Sequence, residues 1–169
     1  MGGISARSGI DLPVYSQRLK SESMHSRSYT ILLAEDNPGD VFLVRRALNE
    51  SFRQPEAAYT LQHAKDGEEA IQWLERSEAN QDKLDLILLD LNLPRRDGIE
   101  VLGRVHAMPH LSLIPTIIMT SSDSPRDRER CMALGATHYF QKPTELASFM
   151  EIGKIAMHLI KLHADANRK

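Results

Sequence analysis

From residue 29 to residue 163 the chain alternates short apolar runs with stretches whose apolar residues recur every three or four positions. Residues 29–34 form the first apolar run, which ends in acids. Residues 38–52 have helical spacing, with Val41, Leu43, Val44, Ala47 and Leu48 apolar. Residues 57–64 predict a second strand, and residues 67–77 a helix with Ala70, Ile71, Trp73 and Leu74 inward. Residues 84–89 are apolar but for Asp85, the pattern of a strand buried on both faces. A third helix over 97–108, a fourth strand over 114–119 and a helix over 125–134 that Gly135 can end come next. Residues 137–141 predict a short last strand. Residues from 144 to about 163 predict one long final helix with Thr144 as its N-cap.

Five strand–helix units in series imply a parallel sheet covered by helices on both faces, a doubly wound α/β fold. In such sheets function gathers at the carboxyl ends of the strands. Glu35 and Asp36 end the first strand, Asp90 the third, Thr120, Ser121 and Ser122 the fourth, and Lys142 and Pro143 the fifth. Under this topology all of them face one crevice.

Acids brought that close repel one another and call for a cation. An oxygen-only donor set favours a hard ion, with Mg²⁺ the natural candidate. A free aspartate has a pKa of about 3.9, so an aspartate such as Asp90 can act as a carboxylate nucleophile toward phosphorus. The metal and Lys142 would neutralise charge on phosphoryl oxygens.

The segments ILLAEDNPGD, LILLDLNLPRRDG, IPTIIMTSSD and GATHYFQKP resemble the response-regulator receiver family over roughly residues 29–160. The resemblance implies a flavodoxin-like, five-stranded doubly wound sheet, and it assigns roles residue by residue. Asp90 matches the phosphoacceptor, with Thr120 and Lys142 as the switch hydroxyl and the phosphate-contacting lysine. Glu35 and Asp36 match the acidic metal pair, and Asn92 the position that binds the metal through its backbone carbonyl. Tyr139 matches the switch aromatic, and Pro143 a proline whose preceding bond is usually cis. The segments EDNPGDVFLVRRAL, KDGEEAIQWL and LLDLNLPRRDG are closer still to the stand-alone regulators found with bacterial phytochromes. The implied function is that of a single-domain regulator, not an enzyme, phosphorylated on Asp90 by a sensor histidine kinase. The alternative is a relay intermediate that passes its phosphate to a histidine phosphotransfer protein.

A Mg²⁺-dependent phosphohydrolase with an aspartyl-phosphate intermediate would need an acid two residues after the nucleophile. Here Asn92 stands there and cannot deliver a proton. Asp36 or Asp90 alone would read as a helix cap or a turn acid; the set as a whole excludes this.

Composition narrows the setting. The chain has 169 residues, 41% of them apolar and 5% aromatic, which suits one domain with an aliphatic core. A formal charge of −2 gives no electrostatic basis for nucleic-acid binding. The single cysteine, Cys131, excludes an internal disulfide, and a reducing cytoplasm is the expected compartment. Cys131 is expected to face solvent or line its helix. The seven histidines show no metal-ligand spacing. Nothing suggests a membrane span or a signal peptide.

Residues 1–28 are serine-rich with few large apolar side chains and read as a disordered tail. The receiver unit is expected over 29–163, and 164–169 as a second tail, with no output domain. The final helix carries Leu146, Phe149, Met150, Ile152, Ile155, Ala156, Leu159, Ile160 and Leu162, a band wider than one sheet face requires. It predicts a homodimer through that helix.

Overall fold

The computed structural model describes residues 27–53 and 57–166. Of the expected tails, residues 1–26 and 167–169 lie outside the described residues. The described residues form one five-stranded sheet of β1 (Arg27–Ala34), β2 (Ala57–Ala64), β3 (Leu86–Asp90), β4 (Thr116–Thr120) and β5 (His138–Gln141). The spatial order is β2-β1-β3-β4-β5, and every neighbouring pair is parallel. The chain runs outward from β1 to β2, then crosses to β3 and continues the other way. The order therefore reverses between β1 and β3, which puts a crevice at their carboxyl ends.

Helices α1 (Pro38–Ser51), α2 (Gly67–Asn80), α3 (Gly98–His106), α4 (Pro125–Ala133), α5 (Leu146–Phe149) and α6 (Glu151–Ala166) cover both faces. Alternate strand residues point to opposite faces, so the core divides in two. Leu32, Ile87, Leu89 and Ile118 pack with Leu74 of α2 and Val101 and Leu102 of α3, with half-buried Trp73 against them. Ile31, Leu33, Leu86, Leu88, Ile117 and Met119 pack with Val44 and Leu48 of α1 and with Ile152, Ala156 and Ile160 of α6. All five residues of β3 are buried, the four apolar residues Leu86 to Leu89 together with Asp90 at its end.

Several sequence expectations are corrected. Strand β1 starts at Arg27, two residues early, because Arg27 and Ser28 still pair in register with Ala57 and Ala58 of β2. Cys131 does not face solvent: it is fully buried in the core between α4 and the sheet, and burial pushes its thiol pKa up.

The final helix is two helices, and Thr144 does not cap either. Glu145 holds the N-cap position of α5 without a side-chain cap bond. At the break the Gly153 N–H donates to Met150 O, an i→i−3 bond in place of the regular i→i−4. The break allows two packings at once. Phe149 meets Phe140 edge-on, with centroids 6.0 Å apart, while α6 lies against α1. Gly153 permits that approach, since a Cβ there would sit 2.2 Å from the Ala47 carbonyl oxygen. The wide apolar band is thus largely internal: Phe149, Ile152, Ala156 and Ile160 are buried, and Leu146 and Leu162 are its large exposed members.

Candidate functional site

Four strand ends and one helix start bring the site together. Glu35 follows β1 directly. Its N–H donates to Ala64 O at 3.0 Å, its Oε1 accepts from the Asn37 N–H at 3.0 Å, and the residue is fully buried. Asn37 caps α1, its Oδ1 accepting from the N–H groups of Gly39 and Asp40, with Pro38 at the first helical turn. Asp90 is the last residue of β3 and is 4% exposed; its Oδ1 accepts from the Asn92 N–H at 3.1 Å.

Lys142 follows β5, where its N–H donates to Thr120 O at 2.8 Å. Its ammonium is the centre of the cluster. It donates to Glu35 Oε2 at 2.7 Å, to Asp40 Oδ2 at 2.9 Å and to Asp90 Oδ2 at 2.9 Å. Carboxylate oxygens of Glu35, Asp36 and Asp90 all lie within 4.8 Å of one another, and Asp36 is the exposed member. Thr120, at the end of β4, is fully buried and its Oγ1 accepts from the Ser122 N–H at 3.1 Å. Asn92 is exposed beside Asp90. Every residue that the sequence proposed for the site is therefore at one end of the sheet.

Tyr139 is buried, with its hydroxyl donating to Ser122 O at 3.3 Å and the Arg128 guanidinium 5.5 Å from its ring centre. The bond before Pro143 is trans, contrary to the expectation from resemblance, and no cis peptide occurs among the described residues. Trans is the intrinsically favoured isomer before proline, by about 0.5–1 kcal/mol.

The electrostatics follow from burial and pairing. Burial pushes the Glu35 carboxyl above its usual range, and the Lys142 ammonium beside it opposes that shift. For Lys142, burial acts to lower the pKa, but hydrogen bonds to Glu35, Asp40 and Asp90 outweigh it, and the pKa is raised. The lysine stays an ammonium. Four carboxylates around one ammonium leave excess negative charge at the mouth of the site. Oxygen ligands from Glu35, Asp36 and Asp90 within one ion's reach fit a hard divalent cation.

Asp40 is the residue that sequence reasoning missed. Its signal was its place in the first turn of a helix opening at a strand end, where one turn swings a side chain back over the crevice.

A family model for the response regulator receiver domain matches residues 31–153. The response regulator Rcp1 of Synechocystis sp. is 33% identical over 128 residues, which is 72% of this chain and 82% of that one. The crystal structure of the phosphorylated cyanobacterial phytochrome response regulator RcpA aligns with a TM-score of 0.71 at 31% identity, over 79% of this chain and 95% of that chain. The Mn(2+)-bound form of response regulator Rcp1 aligns with a TM-score of 0.63 at 30% identity, over 75% of this chain and 89% of that chain. Longer proteins carry the same unit: the chain is 30% identical over 117 residues to a probable cyclic di-GMP phosphodiesterase of Vibrio cholerae but spans 24% of its length.

Proposed function

The chain belongs to the response-regulator receiver family, and from that premise we propose that Asp90 accepts a phosphoryl group from a sensor histidine kinase, the chain then signalling by a change of conformation. Receiver-domain regulators are generally signalling proteins rather than enzymes. The observation that carries the proposal is the Asp90 carboxylate held 2.9 Å from the Lys142 ammonium within an otherwise acidic crevice. A carboxylate oxygen of Asp90 forms the new bond to phosphorus as the bond to the donor's imidazole nitrogen breaks. Lys142 holds its positive charge where phosphoryl oxygens arrive, and the Thr120 hydroxyl, on the adjacent strand, supplies a donor.

Glu35, Asp36 and Asp90 are the side chains that would hold Mg²⁺, with Asn92 offering its backbone carbonyl. A bound divalent cation neutralises phosphoryl charge. The acid cluster and the Mn(2+)-bound Rcp1 structure support this. Likeness to Rcp1 and RcpA supports a phytochrome-type kinase as the source of phosphate. No helix among the described residues is long and apolar enough to cross a membrane, and a cytoplasmic site of action fits a reaction that starts from a kinase's phosphohistidine. Exposed Leu162 near the end of α6 supports self-association through the last helix.

The deciding experiment supplies acetyl phosphate with Mg²⁺ and counts acid-stable, base-labile phosphoryl groups by intact mass. One group is expected on the wild type and none on Asp90→Asn. Equal labelling of both overturns the assignment.

A further inference from the structure

Ser122 lies two residues beyond β4, and its backbone and side chain are engaged in four directions. Its N–H donates to Thr120 Oγ1 at 3.1 Å, and its carbonyl accepts from the Tyr139 hydroxyl at 3.3 Å. Its own hydroxyl donates to Asp127 Oδ2 at 3.0 Å and accepts from the Ser124 N–H at 3.3 Å. Asp127 is itself anchored. It sits in the first turn of α4, and its backbone N–H donates to the Ser124 hydroxyl that caps the helix, at 3.2 Å. A run of hydrogen bonds therefore joins the start of α4 to the end of β4, beside Asp90.

The direction of each bond matters. A hydroxyl has one proton to give and lone pairs to receive. Because Thr120 Oγ1 receives from the Ser122 N–H, its own proton is left to point toward an acceptor. Asp90 pairs with Met119, the residue before Thr120, so Asp90 and Thr120 end neighbouring strands, and with Asp90 as the acceptor the Thr120 hydroxyl is the donor for its phosphoryl group. The aim of the Thr120 proton then depends on where the Ser122 amide is held, and the Ser122–Asp127 bond holds it.

We infer that Asp127 is a positioning residue for phosphoryl transfer to Asp90, acting through Ser122 to fix the loop that aims the Thr120 hydroxyl. This rests on the reading of Asp90 as the acceptor. Asp127 touches neither Asp90 nor Thr120 in any hydrogen bond of the site. The same carboxylate is close enough to the Tyr139 phenol to add to the upward pKa shift that burial chiefly causes there, so it lies at the junction of β4, α4 and β5. An acid in a helix's first turn commonly serves the helix dipole alone. In that plainer role its loss would cost stability without changing the reaction through Ser122.

The test uses the full chain with acetyl phosphate and Mg²⁺, following the rate of phosphoryl uptake by mass. Asp127→Ala and Ser122→Ala are each expected to slow uptake about fivefold to tenfold, the scale of one typical net hydrogen bond. The double variant should be no slower than Ser122→Ala, which removes the bond to Asp127 together with the Ser124 contact. Asp127→Asn, which keeps an acceptor oxygen, should recover most of the rate. Amide hydrogen exchange in the unphosphorylated chain gives a second readout: the Ser122 N–H should exchange faster in Asp127→Ala. Losses that multiply in the double variant, or Asp127→Ala at the wild-type rate, overturn the inference. So does a Ser122 amide indifferent to Asp127 in a wild type that labels normally, and in that case the acceptor reading stands. A wild type that takes no label removes the acceptor reading and this one with it.

Discussion

The Lys142 ammonium lies 2.9 Å from the Asp40 carboxylate, across 102 residues of sequence. The contact ties the first turn of α1 to the segment after β5. The same ammonium pairs with Glu35 and Asp90, so one side chain neutralises acids from three separate elements.

Lys142→Met should leave those acids without a counter-charge. The ammonium is 10% exposed and Glu35 is 0% exposed, so screening by water is slight. Removing one partner of a buried pair typically costs about 3–5 kcal/mol. Urea unfolding in EDTA should show a loss near the lower end of that range, because the mouth of the site is open. Mg²⁺ should restore more stability to the variant than it adds to the wild type. Equal stability in EDTA would mean that the ammonium does not hold the cluster.

Gly153→Ala and Gly103→Ala should move stability in opposite directions. At Gly153 an added Cβ would meet Ala47 O at 2.2 Å and Ser51 Oγ at 2.5 Å. Overpacking of this kind costs about 1–3 kcal/mol, which outweighs the gain in helix propensity of up to about 1 kcal/mol. At Gly103, inside α3, nothing lies within 4 Å of the added carbon, so the propensity gain stands alone. Melting temperatures should fall for the first variant and rise for the second.

His138 should make the fold less stable in mild acid. Burial, and then the nearby Arg128 cation, hold its pKa below the ordinary value of 6.5. A depressed histidine contributes stability above its unfolded pKa and loses it as pH falls, because the unfolded chain takes up the proton first. Between about pH 7 and pH 5 the wild-type melting temperature should decline more steeply than that of His138→Gln. Parallel curves would show that His138 titrates alike in both states.

Self-association through the last helix is best tested at Leu162, which is 54% exposed. Leu162→Glu should leave the melting temperature nearly unchanged and shift sedimentation at high concentration toward the monomer. Phe149→Glu cannot serve, because Phe149 is 2% exposed and stacked edge-on with Phe140. Emptying a buried Phe site alone costs about 3–5 kcal/mol. A wild type that stays monomeric with and without phosphorylation would point to another protein as the receiver of the signal.

The sequence by itself determined the strand–helix alternation, because apolar periodicity directly reflects which faces must be buried. It also placed Glu35, Asp36, Asp90, Thr120 and Lys142 at strand ends, since a serial β–α order leaves parallel strands whose carboxyl ends share one edge. The tertiary structure alone decided what depends on distance. Asp40 joined the site because α1 turns its first residues back toward β5, and spacing along the chain cannot register a partner 102 residues away. Cys131 became core because α4 packs that face on the sheet, although the residues flanking it there are mostly charged. The last helix broke in two because Phe149 had to reach Phe140 while Gly153 closed on α1, a pair of demands made by different neighbours. The same packing turned much of an apolar band that looked like an interface inward, leaving Leu146 and Leu162 exposed. Local sequence records how much apolar surface an element carries; which neighbour covers it is settled only when the elements meet.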